Sequence, residues 1–274
     1  MLDVRPSPIA GTWYEGNAKS LARSVDEYLD RAKLPALDGE VVAVIAPHAG
    51  HIYSGPVAGY AFAALRSLSF ELVAVISPFH NLARYPLITT GHDAYSTPLG
   101  DIEVDKAATA ELMKHLDIPI TPVFADKEHS LEIELPFLQR ALVGDFKLLP
   151  IMIREQEANV AEKLGLALAK VLKDKNALLV ASTDLSHFYD QATANILDAE
   201  MLKRFGAFDP EAIFEAEQTG KAFACGHAAV AAVLWAAREL GANRVQVLHH
   251  ATSGDVTGDY SSVVGYGAAA VLKG

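Results

Sequence analysis

The sequence predicts an α/β fold in which a mainly parallel central sheet is covered by helices on both faces. Apolar runs typical of fully buried strands alternate with helical patterns, as in repeated β-then-α units. Three of these runs, residues 41–46, 71–77 and 177–182, each lead into a histidine within a few residues. No linker-like segment or sharp change of composition interrupts the 274 residues, so we expect a single domain over residues 1–274.

The first elements of the chain have clear helical and strand patterns. Residues 17–33 begin at Asn17, a good helix cap, and carry apolar side chains at a spacing of four residues. The strand at 41–46 follows. Residues 55–68 read as a helix of small residues, opened by Gly55-Pro56, since proline suits a first helical turn. After the strand at 71–77, loops and short strands are expected up to residue 104.

The second half continues the alternation of helices and strands. A helix capped by Asp105 is expected at 105–116. The helix at 130–142 contains Pro136, which predicts a kink or break there. The remaining expected elements are strand 147–153, helix 155–173, strand 177–182, helices 190–205, 209–218 and 225–240, and strands 244–250 and 261–272.

Composition excludes several classes of protein. The chain has 34 acidic and 23 basic residues and a formal charge of −11, and no basic run exceeds two residues, so neither nucleic acid nor a membrane surface is an expected partner. The lone Cys225 fits a reducing compartment. No signal peptide is recognisable, and no apolar stretch approaches the roughly 20 residues of a membrane span. We expect a cytoplasmic protein.

Histidines after buried strands are the first candidates for a functional site. In open α/β sheets, ligands bind beyond the carboxyl ends of parallel strands. His48 follows one strand in a rigid loop that also contains Pro47 and two glycines, and His80 follows the next strand after another proline. His51 could compete with His48 as a ligand. Either histidine could instead be an inert loop residue.

Asp184 and His187 follow the third strand. If they share a helical turn, the carboxylate could orient the imidazole and raise its basicity, or both could bind a metal. An aspartate that caps a short helix beside an exposed histidine is an equally good interpretation.

Cys225 lies at or just before the start of a predicted helix. That position lowers a thiol pKa and favours the thiolate, a soft metal ligand or nucleophile. A buried, inert cysteine is the alternative. Glu128-His129-Ser130 and the pair His249-His250 are weaker candidates. The phosphate-binding patterns GxGxxG and GxxxxGK[ST] and the hydrolase pattern GxSxG are absent from the sequence.

Several ordered blocks of the sequence resemble the MEMO family. They are RPSPIAGTWYEG (5–16), PHAGHIYSG (47–55), SPFHN (77–81), YSTPLGDIEVD (95–105), KEHSLEIELPFLQ (127–139), STDLSHF (182–188), ACG (224–226) and VVGY (263–266). The resemblance implies a fold similar to the class III extradiol dioxygenases, which use non-haem Fe(II) to open catechol rings.

The resemblance also implies a set of site residues. His48, His80 and Cys225 would be the metal ligands, with Asp184 and His187 lining the same pocket and His187 as the acid/base candidate. The dioxygenases use two histidines and a carboxylate, whereas a thiolate shifts the preference toward softer ions. Iron or copper is therefore the expected metal, and zinc is an alternative. His51 departs from the family pattern, where an aromatic residue is expected.

Three functions are compatible with these residues. The first is a mononuclear metal-dependent oxidoreductase, dioxygenase-like, that acts on a small-molecule substrate. The second is a non-catalytic binding or adaptor module that uses the same pocket for a peptide, a metabolite or a partner protein, such as the radical-SAM proteins that the resemblance implies as companions. The third is a zinc hydrolase with three protein ligands and a water.

Overall fold

A nine-stranded sheet runs through the protein, and a three-stranded sheet lies beside it. The structure is a computed structural model that describes residues 2–274. Its strands are β1 Val4–Arg5, β2 Glu40–Ala46, β3 Leu72–Pro78, β4 Leu87–Thr90, β5 Ala94–Thr97, β6 Gly100–Glu103, β7 Ile120–Val123, β8 Lys147–Ile153, β9 Ala177–Ser182, β10 His187–Tyr189, β11 Arg244–Thr252 and β12 Val263–Lys273.

Helices occupy most of the connections between these strands. Over residues 2–274 they are α1 Ala18–Arg31, α2 His51–Ala63, α3 Lys106–His115, α4 Leu135–Ala141, α5 Ala158–Leu172, α6 Gln191–Gly206, α7 Pro210–Gln218, α8 His227–Glu239 and α9 Gly254–Thr257. A single 3-10 turn at Glu132–Glu134 precedes α4. No helix in the described part of the chain combines the length and apolarity needed to cross a bilayer.

The predicted α/β class is confirmed, and the large sheet is mixed. Its strand order is β10-β12-β2-β9-β3-β8-β4-β7, with β11 paired to β12. The central strands β2, β9, β3 and β8 are mutually parallel. Strand β12 pairs antiparallel with β2, β10 and β11, and β4 pairs antiparallel with β8. Parallel pairing is thus concentrated in the centre, where the candidate histidines follow the strands.

Helices pack on both faces of the central strands. Alternate residues of β2 belong to opposite apolar clusters, with Ala43 and Ile45 in one and Val44 and Ala46 in the other, as the two-residue period of a strand requires. Helices α3, α5, α6, α7 and α8 cover the first face, and α1, α2 and α4 cover the second. A Cβ at Gly165 of α5 would lie 2.5 Å from the Ala232 carbonyl oxygen, so α5 and α8 pack closely.

Most predicted elements lie where the sequence places them, but α2 does not. It begins at His51, four residues before the predicted start, because Gly50 serves as its cap and Pro56 is tolerated inside the helix. The break expected near Pro136 is present, since the 3-10 turn gives way to α4 at Leu135. Strands β1, β7 and β10 and the short helix α9 were not predicted.

Candidate metal centre

Three neighbouring strands deliver histidines to one edge of the sheet. Strands β2, β9 and β3 are adjacent and parallel. The chain after their carboxyl ends carries His48, His187 and His80, respectively. The ring centroids of His48 and His80 are 5.3 Å apart, so these two side chains are close in space. The convergence expected from the sequence is therefore present for His48 and His80.

A fourth histidine completes the cluster. One ring nitrogen from each of His48, His80 and His129 lies within 4.8 Å of the other two. The His80 and His129 rings stack with centroids 4.9 Å apart, and the His48 ring stands edge-on to them at 5.3 and 5.5 Å. His129 comes from the loop before the 3-10 turn, so it was only a weak candidate in the sequence.

The two nitrogens of His48 have different partners. Nδ1 lies 2.9 Å from Ser182 Oγ, which itself lies 2.7 Å from the Ser130 carbonyl oxygen and 2.6 Å from Glu134 Oε1. Burial raises the pKa of Glu134 well above its usual range. Ser182 has one hydroxyl proton, which it donates to Glu134 Oε1 or to the Ser130 carbonyl oxygen, so towards His48 it accepts from Nδ1–H. Nε2 of His48 is left unprotonated on the side of the cluster.

Burial also keeps the His48 ring neutral. The side chain is 2% exposed, and desolvation, aided by the nearby charges of His129 and His80, lowers its pKa well below the usual range. A neutral imidazole with a free Nε2 is the form that binds a metal ion.

One carboxylate orients the second histidine. Glu128 Oε1 accepts from His80 Nδ1 at 2.8 Å, and Oε2 accepts from the His80 backbone N–H at 2.6 Å. Burial alone would raise the Glu128 pKa, but the hydrogen bonds from His80 and Ser130 outweigh it and lower the pKa to about 2. The ionised carboxylate fixes the Nδ1–H tautomer of His80 and leaves Nε2 free, as in carboxylate–histidine–metal arrangements.

The same carboxylate holds His129. Glu128 Oε1 accepts from the His129 backbone N–H at 3.0 Å and lies 3.2 Å from its Nδ1. The His129 ring also packs on the Trp13 ring, with centroids 4.0 Å apart and planes at 31°. Burial lowers the His129 pKa to about 4, so this ring is also neutral at physiological pH.

Cys225 touches the cluster through His48. Its Sγ lies 3.1 Å from His48 Nε2 and accepts from the Asp184 backbone N–H at 3.3 Å. Burial, and then the charge of Asp184, raises the pKa of the Cys225 thiol far above its usual range, which keeps it protonated without a metal. The thiol sits just before α8, as predicted, but burial overrides the lowering expected at a helix start.

Asp184 and His187 both lie beside the cluster, but the predicted contact between their side chains is not formed. Residues 183–186 form no helical turn; Asp184 Oδ1 accepts from the His48 backbone N–H at 2.8 Å, and Leu185 O accepts from His187 Nδ1–H at 2.8 Å. The backbone carbonyl, not the carboxylate, therefore orients the His187 ring and leaves its Nε2 free. Burial raises the Asp184 pKa to about 7 and lowers that of His187.

The donor set fits a metal ion. Tetrahedral bonds of about 2.1 Å place ligand nitrogens roughly 3.4 Å apart, so the three rings need to close by about 1.4 Å at most. His48 and His80 each have Nδ1 held by a hydrogen-bond partner, Ser182 and Glu128, which leaves Nε2 as the available ligand atom. Cys225 Sγ is an alternative third ligand, because it already contacts the His48 nitrogen that faces the cluster.

The remaining candidate histidines lie outside the cluster. His51 is buried, and its Nε2–H donates to the Ile133 carbonyl oxygen at 3.0 Å, so it does not compete with His48. His249 stacks on Tyr60 with centroids 4.1 Å apart. His250 Nε2 lies 2.9 Å from Asp198 Oδ2, and Asp198 Oδ1 accepts from the Ser186 backbone N–H at 2.9 Å.

A cleft of about 540 Å³ adjoins the histidine cluster. Trp13, whose ring packs on His129, lines one side, and Phe188, which follows His187, lines another. Ala49 and Gly50, directly after His48, also line it. A volume of this size suits a small molecule.

Fold and cluster together define an α/β protein with a histidine-rich centre that could hold a metal ion. Comparison with known sequences identifies the family: the sequence model of the Memo-like proteins matches residues 5–270. A MEMO1 family protein of Nitrosopumilus maritimus is 34% identical over 270 residues, which cover 97% of this chain and 98% of the relative. Another, from Thermotoga neapolitana, is 34% identical and covers 96% of this chain and 98% of the relative. The chain belongs to the Memo-like family.

The fold is similar to that of a solved structure. The crystal structure of the uncharacterized protein JW3007 from Escherichia coli K12 matches with a TM-score of 0.50 at 14% sequence identity, over 83% of this chain and 99% of that chain. This likeness concerns the fold alone.

Proposed function

We propose that this protein is a mononuclear metal-dependent oxidoreductase with a fold like that of the class III extradiol dioxygenases. The observation that carries the proposal is the set of three imidazoles that each bring one ring nitrogen within 4.8 Å of the others, beside an open cleft. A redox-active iron or copper ion held there would supply electron transfer and polarise a substrate oxygen. The chain has one cysteine, which cannot form an internal disulfide and favours a reducing compartment, so a cytoplasmic location belongs to this proposal.

The protein's own residues supply ligands and proton transfer. Two ligand sets are possible. His48 and His80 belong to both, and the third ligand is His129 in one set and Cys225 in the other. His187, with Nδ1–H bound to Leu185, presents Nε2 as a proton acceptor for a substrate hydroxyl. Asp184, with a pKa raised to about 7 by burial, can hold or release a proton near neutral pH.

Metal analysis of anaerobically purified protein tests the proposal. We expect close to one equivalent of iron or copper in the wild type and loss of it in His48→Ala, with His115→Ala, an exposed histidine on α3, as the matched control. Oxygen uptake with catechol-like substrates should follow the metal. Protein that takes up neither iron nor copper after reconstitution would rule out the oxidoreductase.

Cobalt substitution separates the two ligand sets. A thiolate ligand gives an intense near-ultraviolet charge-transfer band with Co(II), whereas three imidazoles do not. If Cys225 is the third ligand, Cys225→Ser abolishes the band and His129→Ala preserves it. If His129 is the ligand, no such band forms in the wild type.

Two other functions have specific support. Three histidines are also the ligands of some catalytic zinc sites, so one equivalent of zinc with hydrolytic activity would favour the zinc hydrolase.

Exposed apolar side chains beside the cleft, Ile52 at 64% and Phe188 at 75% exposure, favour a binding or adaptor module for a peptide or a radical-SAM protein. A partner retained by His48→Ala protein, which lacks the metal, would support that module.

A further inference from the structure

Phe188 has an unusual backbone conformation beside the centre. Its φ angle is 65°, in the left-handed region that large side chains disfavour. It lies between His187 and Tyr189 of β10, where the pairing with β12 shifts register. Such bulges bend a strand and re-aim one side chain, often next to an active site.

The bulge exposes a large apolar ring at the cleft instead of burying it. The Phe188 side chain is 75% exposed, and Trp13, Ile52 and Tyr53 line the same cleft. Both the conformation and the exposure are unfavourable for the free protein, and strain of this kind is concentrated at ligand-binding positions. The aromatic rings form walls on which a planar ligand can stack.

The cleft also has a polar side that carries a single charged residue. Asp259 is the one charged side chain among the described residues that line it, and its neighbours there are Ser253, Thr257 and Ser262. The Asp259 carboxylate accepts from the Ser261 hydroxyl and backbone N–H, which lowers its pKa and keeps it ionised. A carboxylate at the edge of an aromatic cleft complements a cation, and the indole and phenyl faces attract a cation as well.

We infer that the cleft binds a small aromatic molecule that carries an ammonium group. Phe188 closes over the aromatic ring, and Asp259 accepts a hydrogen bond from the ammonium group. The inference deepens the proposed function, because it rests on the same site and names the substrate class that this site takes. It makes Phe188 and Asp259 specificity-determining residues, neither of which contacts the metal ligands directly.

Calorimetric titration of the purified protein with three probes tests this inference. Tyramine, 4-ethylphenol and 4-hydroxyphenylacetate share a phenol ring and carry a cationic, neutral and anionic tail. We expect tyramine to bind about tenfold more tightly than 4-hydroxyphenylacetate, because the carboxylate and the aromatic faces favour one charge. Equal affinities, or tighter binding of the anion, would overturn the inference.

Two variants locate the interactions. Asp259→Asn can still accept from Ser261, so the loop is preserved, and we expect the tyramine preference to shrink to about twofold as charge pairing is lost. Phe188→Ala should weaken the binding of all three probes by about tenfold, because it removes the stacking ring. Phe188→Leu should weaken binding by less, because leucine loses the stacking but keeps the apolar bulk.

Matched controls are Glu239→Gln and Ile196→Ala, which remove an exposed charge and an exposed apolar side chain outside the cleft. Unchanged affinities in Asp259→Asn and Phe188→Ala would contradict the assignment of both residues. Because binding is measured without turnover, tyramine binding by protein that consumes no oxygen would refute only the oxidoreductase. Oxygen uptake without the charge preference would refute only this inference.

Discussion

At the scale of single residues, the carboxylate of Glu128 determines the shape of the centre. It is buried and accepts hydrogen bonds from the backbone and ring of His80 and from the backbone of His129. Arg5 donates to the Glu128 carbonyl oxygen at 2.9 Å and pairs with Asp126, so the loop that carries Glu128 is itself fixed. Two imidazoles therefore depend on one carboxylate for their orientation.

Glu128→Gln should weaken metal binding by about 10- to 100-fold, the usual effect of losing a partner that orients a ligand. The amide has one acceptor oxygen, so it cannot accept from both the ring and the backbone of His80 as the carboxylate does. Competition titration against a chelator measures the affinity. Glu103→Gln, an exposed glutamate on β6, is the control, and equal affinities in the two variants would contradict this role for Glu128.

The sequence predicts only part of this arrangement. His48, His80 and His187 are predictable because each follows a buried parallel strand. His129 and Glu128 lie in an irregular loop after β7, where no periodicity shows which side chains point inward. Their proximity to His80 depends on long-range contacts, including the Arg5 network, that leave only a compositional trace in the sequence.

At the scale of elements, the close packing of α5 on α8 stabilises the strands that carry the site. Helix α8 packs on β9 and β3, and α5 packs on α8 within the same apolar cluster, where Gly165 lets the two helices approach each other. The strands and long helices were predicted within a few residues, because their apolar patterns are long. The start of α2 was predicted wrongly, since Pro56 suggested a first turn, and the three-residue β10 is too short to show a pattern.

Gly165→Ala should lower the free energy of unfolding by about 1–3 kcal/mol, the usual cost of forcing extra atoms into a packed core. The added Cβ would lie 2.5 Å from the Ala232 carbonyl oxygen and 2.7 Å from the Trp235 Cβ. Urea unfolding followed by circular dichroism measures the change.

The matched substitution is Gly206→Ala at the end of α6, where a Cβ would meet nothing closer than 3.9 Å. Alanine is the better helix former, so this variant should be as stable as the wild type or up to about 1 kcal/mol more stable. Equal destabilisation of both variants would show that the α5–α8 contact is looser than described.

At the scale of the whole molecule, several histidines are buried in the neutral form. Burial lowers the pKa of His51 to about 4, and it also lowers that of His48 and of His129.

The overall topology was less predictable than the elements. The apolar runs of β4 and β12 do not reveal strand direction, so the antiparallel flanks of the sheet could not be anticipated.

These buried histidines make the protein sensitive to acid. An unfolded histidine takes up a proton near pH 6.5, whereas folded His51 does so only near pH 4, so falling pH favours unfolding within this window. The loss of stability due to His51 amounts to about 3 kcal/mol once the pH is below 4, and most of it arises between pH 6.5 and pH 4.

His51→Phe should flatten the dependence of unfolding free energy on pH between 6.5 and 4. The phenyl ring cannot take up a proton in either state, and the aromatic neighbours Tyr14 and Phe137 can pack against it. Denaturant unfolding at a series of pH values measures the effect in metal-free protein. The exposed His115→Phe is the control, and an unchanged slope in His51→Phe would show that His51 does not account for the acid sensitivity.

The stacking of Trp13 on His129 has a practical consequence. The chain contains two tryptophans, and the second, Trp235, is buried in α8. An indole packed on an imidazole of the cluster is an intrinsic optical reporter: a paramagnetic ion bound at the centre would quench its fluorescence, while the emission of Trp235 would remain as an internal reference. Occupancy of the centre can therefore be followed in solution without attaching a dye.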